Sequence, residues 1–163
     1  MRLLAIDPGY EESALLLYDT DTRKPVHWVK TANQEALDII LASPVQVIDR
    51  LAVEMIASYG MAVGKEVFDT CVWIGRFIEC WEHACGGGWQ QVFRREVKTH
   101  LCADSRAKDA NIRQALIDRY GGKEQAIGEK ASPGPLYGLT GDCWAALGVA
   151  VTCAETRLTE AAA

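Results

Sequence analysis

The sequence predicts an α/β fold: a mixed five-stranded sheet, three strands antiparallel and two parallel, flanked by helices. Three observations predict it. The first 30 residues carry three apolar runs separated by tight-turn residues, the pattern of an antiparallel meander. Strand-like runs then alternate with segments of helical period, the arrangement that joins parallel strands. Two of those helical segments carry apolar stripes broad enough to cover a sheet. The chain shows no internal repeat, low-complexity tract or linker, so one domain over 1–163 is expected.

In order, Met1–Ile6 and Ser13–Tyr18 read as strands, with Pro8-Gly9 turning the chain between them. Thr20–Pro25 reads as the next turn and Val26–Lys30 as a third strand. Thr31–Leu41 is helical in pattern, with Asn33 as a candidate N-cap and Ala36, Leu37, Ile40 and Leu41 forming a stripe. Beyond Ser43-Pro44, Asp49–Glu54 is a fourth strand. Gly64–His83 is the longest periodic segment: Val63, Val67, Cys71, Ile74, Ile78 and Trp81 recur at steps of three and four, with Phe68 and Phe77 alongside. Cys85-Gly86-Gly87-Gly88 ends it. Trp89–Phe93 is the fifth strand, Lys108–Tyr120 a helix stopped by Gly121-Gly122, and Gly128–Thr140 a loop by its glycines and prolines. Asp142–Leu158, apolar on most of its sides, is a buried closing helix.

Composition sets outer bounds. No apolar run approaches the ~20 residues that span a bilayer, and Met1 leads straight into the first strand with no leader-like segment, so a cytoplasmic protein without membrane contact is expected. The six cysteines include no C-x-x-C pair and fit reduced, buried thiols. The cluster Cys80, His83 and Cys85 lacks the second ligand pair that a structural zinc site needs. Net charge is −5, yet residues 90–130 hold nine Lys/Arg against six acids. A basic segment in an acidic body suits a phosphate-binding face beside a carboxylate cluster, and equally a solvated helix with its loops.

The acids carry the chemistry. Asp7 ends the first strand and Glu54 the fourth. If those strands are parallel neighbours, both carboxylates emerge at one edge of the sheet. Asp142, at the start of the last helix, can join them there. Crowded carboxylates need a cation, and oxygen ligands suit Mg²⁺ or Mn²⁺. Two such ions about 3.5–4 Å apart can activate water for phosphodiester hydrolysis. Each acid also has a plainer reading, as a turn cap, a strand end or a helix N-terminal charge. The residue pattern alone leaves both open.

Four stretches in order, LLAIDPG, LAVEMI, VKTHLCADSRAKDANIRQALIDRYGG and PGPLYGLTGDCWAALGVAVT, resemble the RuvC-type Holliday junction resolvases, particularly their short phage and prophage forms. Sugar-kinase and actin-like ATPases share the I-D-P-G opening but need a second lobe. The resemblance implies a ribonuclease H-like fold, a homodimer and Mg²⁺-dependent nicking of four-way DNA junctions, with Mn²⁺ able to substitute and two ions bound. It places Asp7, Glu54 and Asp142 on the family's catalytic, metal-binding acids, and Lys98 and Lys108 near two lysines used close to the scissile phosphate. Arg94, Arg95, Arg106 and Arg113 would then follow the DNA backbone together with Lys98 and Lys108.

Two departures stand out. The last-helix motif D-x-x-D-A-L reads Asp142-Cys143-Trp144-Ala145-Ala146-Leu147, so Ala145 replaces the second acid, and Glu11 or Glu12 becomes a candidate substitute. The aromatic residue that the family often places three residues after the glutamate is Ala57 here. Tyr59, or Met61, is the candidate to stack on an unpaired base. The stripe on residues 63–81 is the expected dimer helix. Two neighbouring activities follow: resolution of Holliday junctions, or cutting of branched DNA in general, including forks and flaps. A third, from a different class, is a branched-DNA-binding protein that has lost cleavage.

Overall fold

In the computed structural model, which describes residues 1–42, 48–58, 60 and 62–158, the expected sheet is present. Strands β1 (Arg2–Asp7), β2 (Glu12–Asp19), β3 (Lys24–Ala32), β4 (Arg50–Met55) and β5 (Trp89–Phe93) line up in the order β3-β2-β1-β4-β5. β1 and β2 pair antiparallel, as do β2 and β3, whereas β1–β4 and β4–β5 are parallel. β3 is longer at both ends than its apolar run predicts, because edge pairing to β2 recruits polar residues that carry no apolar signal. Pro25 lies on this edge at a register shift, where its missing N–H costs no ladder bond.

Alternation of side chains along the strands builds two cores. Leu3 and Ala5 of β1 and Ala52 of β4 face one side. There they meet helix α6 (Cys143–Thr156), α3 (Arg94–Cys102) and α4 (Asp109–Arg119). Leu4, Ile6, Leu51 and Val53 face the other side, against α1 (Asn33–Ala42) and α2 (Lys65–Ala84). Each fully buried aliphatic side chain contributes about 1.5–3 kcal/mol by leaving water. Val149, Ala150, Val151 and Cys153 of α6 are at most 1% exposed, as its uniform apolarity predicts. Gly148 lets α3 approach, since a Cβ there would lie 3.0 Å from Val97 Cγ1.

Several expectations need correction. α3 has no counterpart in the sequence reading: it buries only Val97 and starts directly from β5 without turn residues. Glu96 nucleates it, accepting the Phe93 amide proton at 2.7 Å. The expected loop 128–140 contains a small hairpin, β6 (Gly128–Glu129) with β7 (Ser132–Pro133), preceded by the one-turn α5 (Lys123–Ala126). On α2 the inward face is Thr70, Ile74, Phe77 and Trp81, while Cys71 is exposed and so departs from the buried-thiol expectation. Phe68 and Val72 beside it are 61% and 63% exposed. Asn33 is the first residue of α1, but its side chain serves the β1–β2 turn. No helix among the described residues is long and apolar enough to cross a membrane.

Candidate active site

The parallel pairing of β1 with β4 sets Ile6 beside Val53, so Asp7 and Glu54 are the next residues along two adjacent strands. Both continue the parity of the α6 face. A buried strand end therefore delivers two carboxylates side by side, where α6 begins with Asp142 as its N-cap residue. A cleft of about 360 Å³ opens at this point, and Asp7, Glu54, Arg94, Asp109, Asp142, Trp144 and Ala145 are among its lining residues.

The turn that holds Asp7 is locked from three directions. Gly9 admits no side chain, because a Cβ would stand 2.3 Å from the Glu12 carbonyl oxygen. The Gly9 amide donates to Ser13 Oγ at 3.2 Å, and Ser13 Oγ donates to Asn33 Oδ1 at 2.6 Å. Asn33 Nδ2 in turn donates to the Gly9 carbonyl at 2.9 Å. Ser13 and Asn33 are each 1% exposed. A closed ring of hydrogen bonds thus ties the Asp-Pro-Gly turn to β2 and α1.

Glu54 is 7% exposed and shares a hydrogen bond with Asp7. Burial, the Glu54 charge and that bond push the Asp7 carboxyl up to about 9, against partial relief from Arg94. Arg94 forks between two acids: Nη1 lies 3.4 Å from Glu54 Oε1 and Nη2 2.5 Å from Asp109 Oδ1. Burial opposes its charge, but Glu54 and Asp109 outweigh that and raise its pKa. On the other flank, Lys30 Nζ lies 2.9 Å from Asp142 Oδ2 and 3.3 Å from Glu12 Oε2. Both acids raise the Lys30 pKa, Asp142 foremost.

The three predicted acids therefore line one cleft, where Arg94 is paired with Glu54 and Lys30 with Asp142. Among the described residues, no three Asp, Glu, His or Cys side chains are gathered closely enough to grip a metal ion. The donor set nevertheless fits a hard divalent ion: all oxygen, partly buried, and holding a proton on Asp7 where a cation could replace it. Ala145 lies in the wall of the cleft.

The basic residues divide by position. Arg94 is inside the cleft. Lys98 and Arg95 lie on α3, Lys108 is the N-cap residue of α4, and Arg106 precedes it. Among the described residues no ion pair engages Arg95, Lys98, Lys108 or Arg113. The Arg113 guanidinium sits 4.9 Å from the centre of the Trp144 ring, beside the cleft. Tyr59 and Met61 fall outside the described residues.

Lys30 and Asp109 are site residues that the sequence reading missed. Lys30 pairs with Ala14, which pairs with Asp7, so the three form a row across the sheet. That signal exists only once the register is known. Asp109 reads as an ordinary helix-start acid.

A β3-β2-β1-β4-β5 sheet with helices on both faces, and carboxylates at the carboxyl ends of its first and fourth strands, defines a ribonuclease H-like fold. The fold is shared with RuvC of Thermus thermophilus, which superposes with a TM-score of 0.65 at 18% identity, over 98% of this chain and 97% of that one. A second solved structure, T. thermophilus RuvC in complex with Holliday junction substrate, matches with a TM-score of 0.60 at 18% identity over 94% and 92%. No family model and no curated protein matches the sequence.

Proposed function

We propose that the chain is a divalent-metal-dependent endonuclease that cuts Holliday junctions or related branched DNA as a homodimer. The observation that carries this reading is the juxtaposition of Asp7 and Glu54 at adjoining strand ends, in a cleft shared with Asp142. The structure of T. thermophilus RuvC with Holliday junction substrate supports the choice of DNA.

Asp7, Glu54 and Asp142 would hold Mg²⁺, or Mn²⁺ in its place, with two ions as the working expectation. When bound, the metal supplies Lewis-acid activation of water and of the scissile phosphate. The chain's own residues do the rest. The Ser13–Asn33 ring fixes the direction of Asp7. Lys98 and Lys108 bind non-bridging phosphate oxygens and stabilise the charge that builds up during attack. Arg95, Arg106 and Arg113 follow the backbone, which makes binding steeply salt-dependent. Tyr59 stacks on a base at the branch point.

Dimerisation is assigned to α2. Phe68 and Val72 lie four residues apart on its outer face, with exposed Cys71 between them. Phe68→Glu is expected to leave a folded monomer by sedimentation, while the unaltered protein sediments as a dimer. A dimer persisting in the variant would remove α2 from the interface.

Ala145 and the two built-in cations favour a second reading, a junction-binding protein without cleavage. A synthetic four-way junction and a fork, each incubated with Mg²⁺ or Mn²⁺, separate the two. Paired nicks on the four-way junction, lost in Glu54→Gln and Asp142→Asn, support the resolvase. Equal cutting of the fork moves the protein to general debranching. A salt-sensitive mobility shift with no nick in either metal establishes the binding protein instead.

A further inference from the structure

We propose that Arg94 is a resident counter-ion of the acid cleft that competes with the divalent metal for Glu54, and that Asp109 takes over its guanidinium when the metal binds. The inference rests on the metal-site reading above. Arg94 is fixed by its position as the first residue of α3, directly after β5, the parallel neighbour of β4. Its side chain is 30% exposed and reaches across to the end of β4. Both Glu54 oxygens lie within 3.5 Å of Nη1, so the guanidinium stands over the whole carboxylate rather than on one lone pair.

An arginine in this place cannot be discharged. It stabilises the metal-free cleft, in which burial would otherwise leave Glu54 uncompensated. The same fixed charge repels an incoming cation. A metal can use Glu54 only if the guanidinium moves, and the second arm of the fork provides the destination. Asp109 is 2.5 Å from Nη2 and its side chain is 81% exposed, so it is free to follow the arginine outward. Rotation from a shared hold on Glu54 and Asp109 to a hold on Asp109 alone keeps the guanidinium paired throughout. Lys30 is the corresponding cation on Asp142, but there the ammonium is solvent-exposed and shared with exposed Glu12. It is the weaker obstacle.

The test counts Mn²⁺ bound by DNA-free protein, from loss of the free-ion electron paramagnetic resonance signal, in the unaltered protein, Arg94→Gln, Asp109→Asn and the double variant. Arg94→Gln is expected to bind Mn²⁺ about tenfold more tightly, since a unit charge at contact distance is removed. Asp109→Asn, whose exposed position makes folding safe, is expected to bind about threefold more weakly because Arg94 has nowhere else to go. In the Arg94→Gln background the Asp109 substitution is expected to have no effect, the signature of one residue acting through the other. Additive effects would mean that Asp109 acts on the ion itself and would overturn the hand-over. Unchanged affinity in Arg94→Gln, with binding lost in Glu54→Gln, would overturn the competition while leaving the metal site intact. No Mn²⁺ uptake by any of these proteins would instead sink the metal-site reading, and this inference with it.

Discussion

Asp7→Asn is expected to reduce junction nicking at least about a thousandfold while making the metal-free protein more stable above neutral pH. Loss of activity follows from removing the carboxylate at the centre of the proposed metal site. The gain in stability follows from linkage. Burial, and then Glu54, hold the Asp7 carboxyl at about 9, whereas the unfolded chain releases its proton near the ordinary value of 3.8. Between those two values the folded protein carries a proton that the unfolded chain has lost. Stability therefore falls as pH rises through that window, and most of the loss has occurred by pH 8. An asparagine carries no charge to bury and can hydrogen-bond Glu54. It is expected to contribute about 2 kcal/mol at pH 8, roughly 4–8 °C in Tm, and to flatten the decline. Saturating Mg²⁺ is expected to stabilise the unaltered protein and to leave the variant unmoved. Thermal melts from pH 5 to 9 in a chelating buffer would decide it. A variant less stable than its parent at pH 8 would mean that Asp7 is not strained in the metal-free fold.

The second large effect belongs to a residue that touches no substrate. Asn33→Ala is expected to lower stability by about 2–4 kcal/mol, because it strands the buried Ser13 hydroxyl and the Gly9 carbonyl together. It also frees the turn that orients Asp7. Nicking at 20 °C, where the variant remains folded, is expected to fall at least about tenfold, while junction affinity measured in Ca²⁺ changes little. Ser13→Ala should show the same pattern at smaller size, since it removes the middle member of the ring and leaves the Asn33–Gly9 bond. A variant that loses stability yet nicks at full rate would make the ring purely structural.

Elements whose local signal agrees with their final environment can be read from the chain alone. Apolar alternation in β1 and β2 and the uniform apolarity of α6 required burial wherever they packed. The Asp-Pro-Gly turn and the acid Glu54 in LAVEM mark two strand ends that need an explanation. The resemblance to RuvC-type resolvases supplied the rest of the expectation, including Ala145 at the position of the missing acid. α3 was not legible because its stability comes from contact with α6, Arg157 reaching Glu96 at 2.6 Å and Val97 lying against Gly148, rather than from its own polar sequence.

How the carboxylates are neutralised depends on packing between distant segments. Strand register carries Lys30 into line with Asp7 across β2, and the β5–α3 junction swings Arg94 onto Glu54. The pairing of charges depends on distances between segments tens of residues apart, and neither hydrophobic period nor turn chemistry encodes those distances. Asn33 makes the same point: its position suits a helix cap, yet the packing of α1 beside β2 spends its side chain on the turn that holds Asp7.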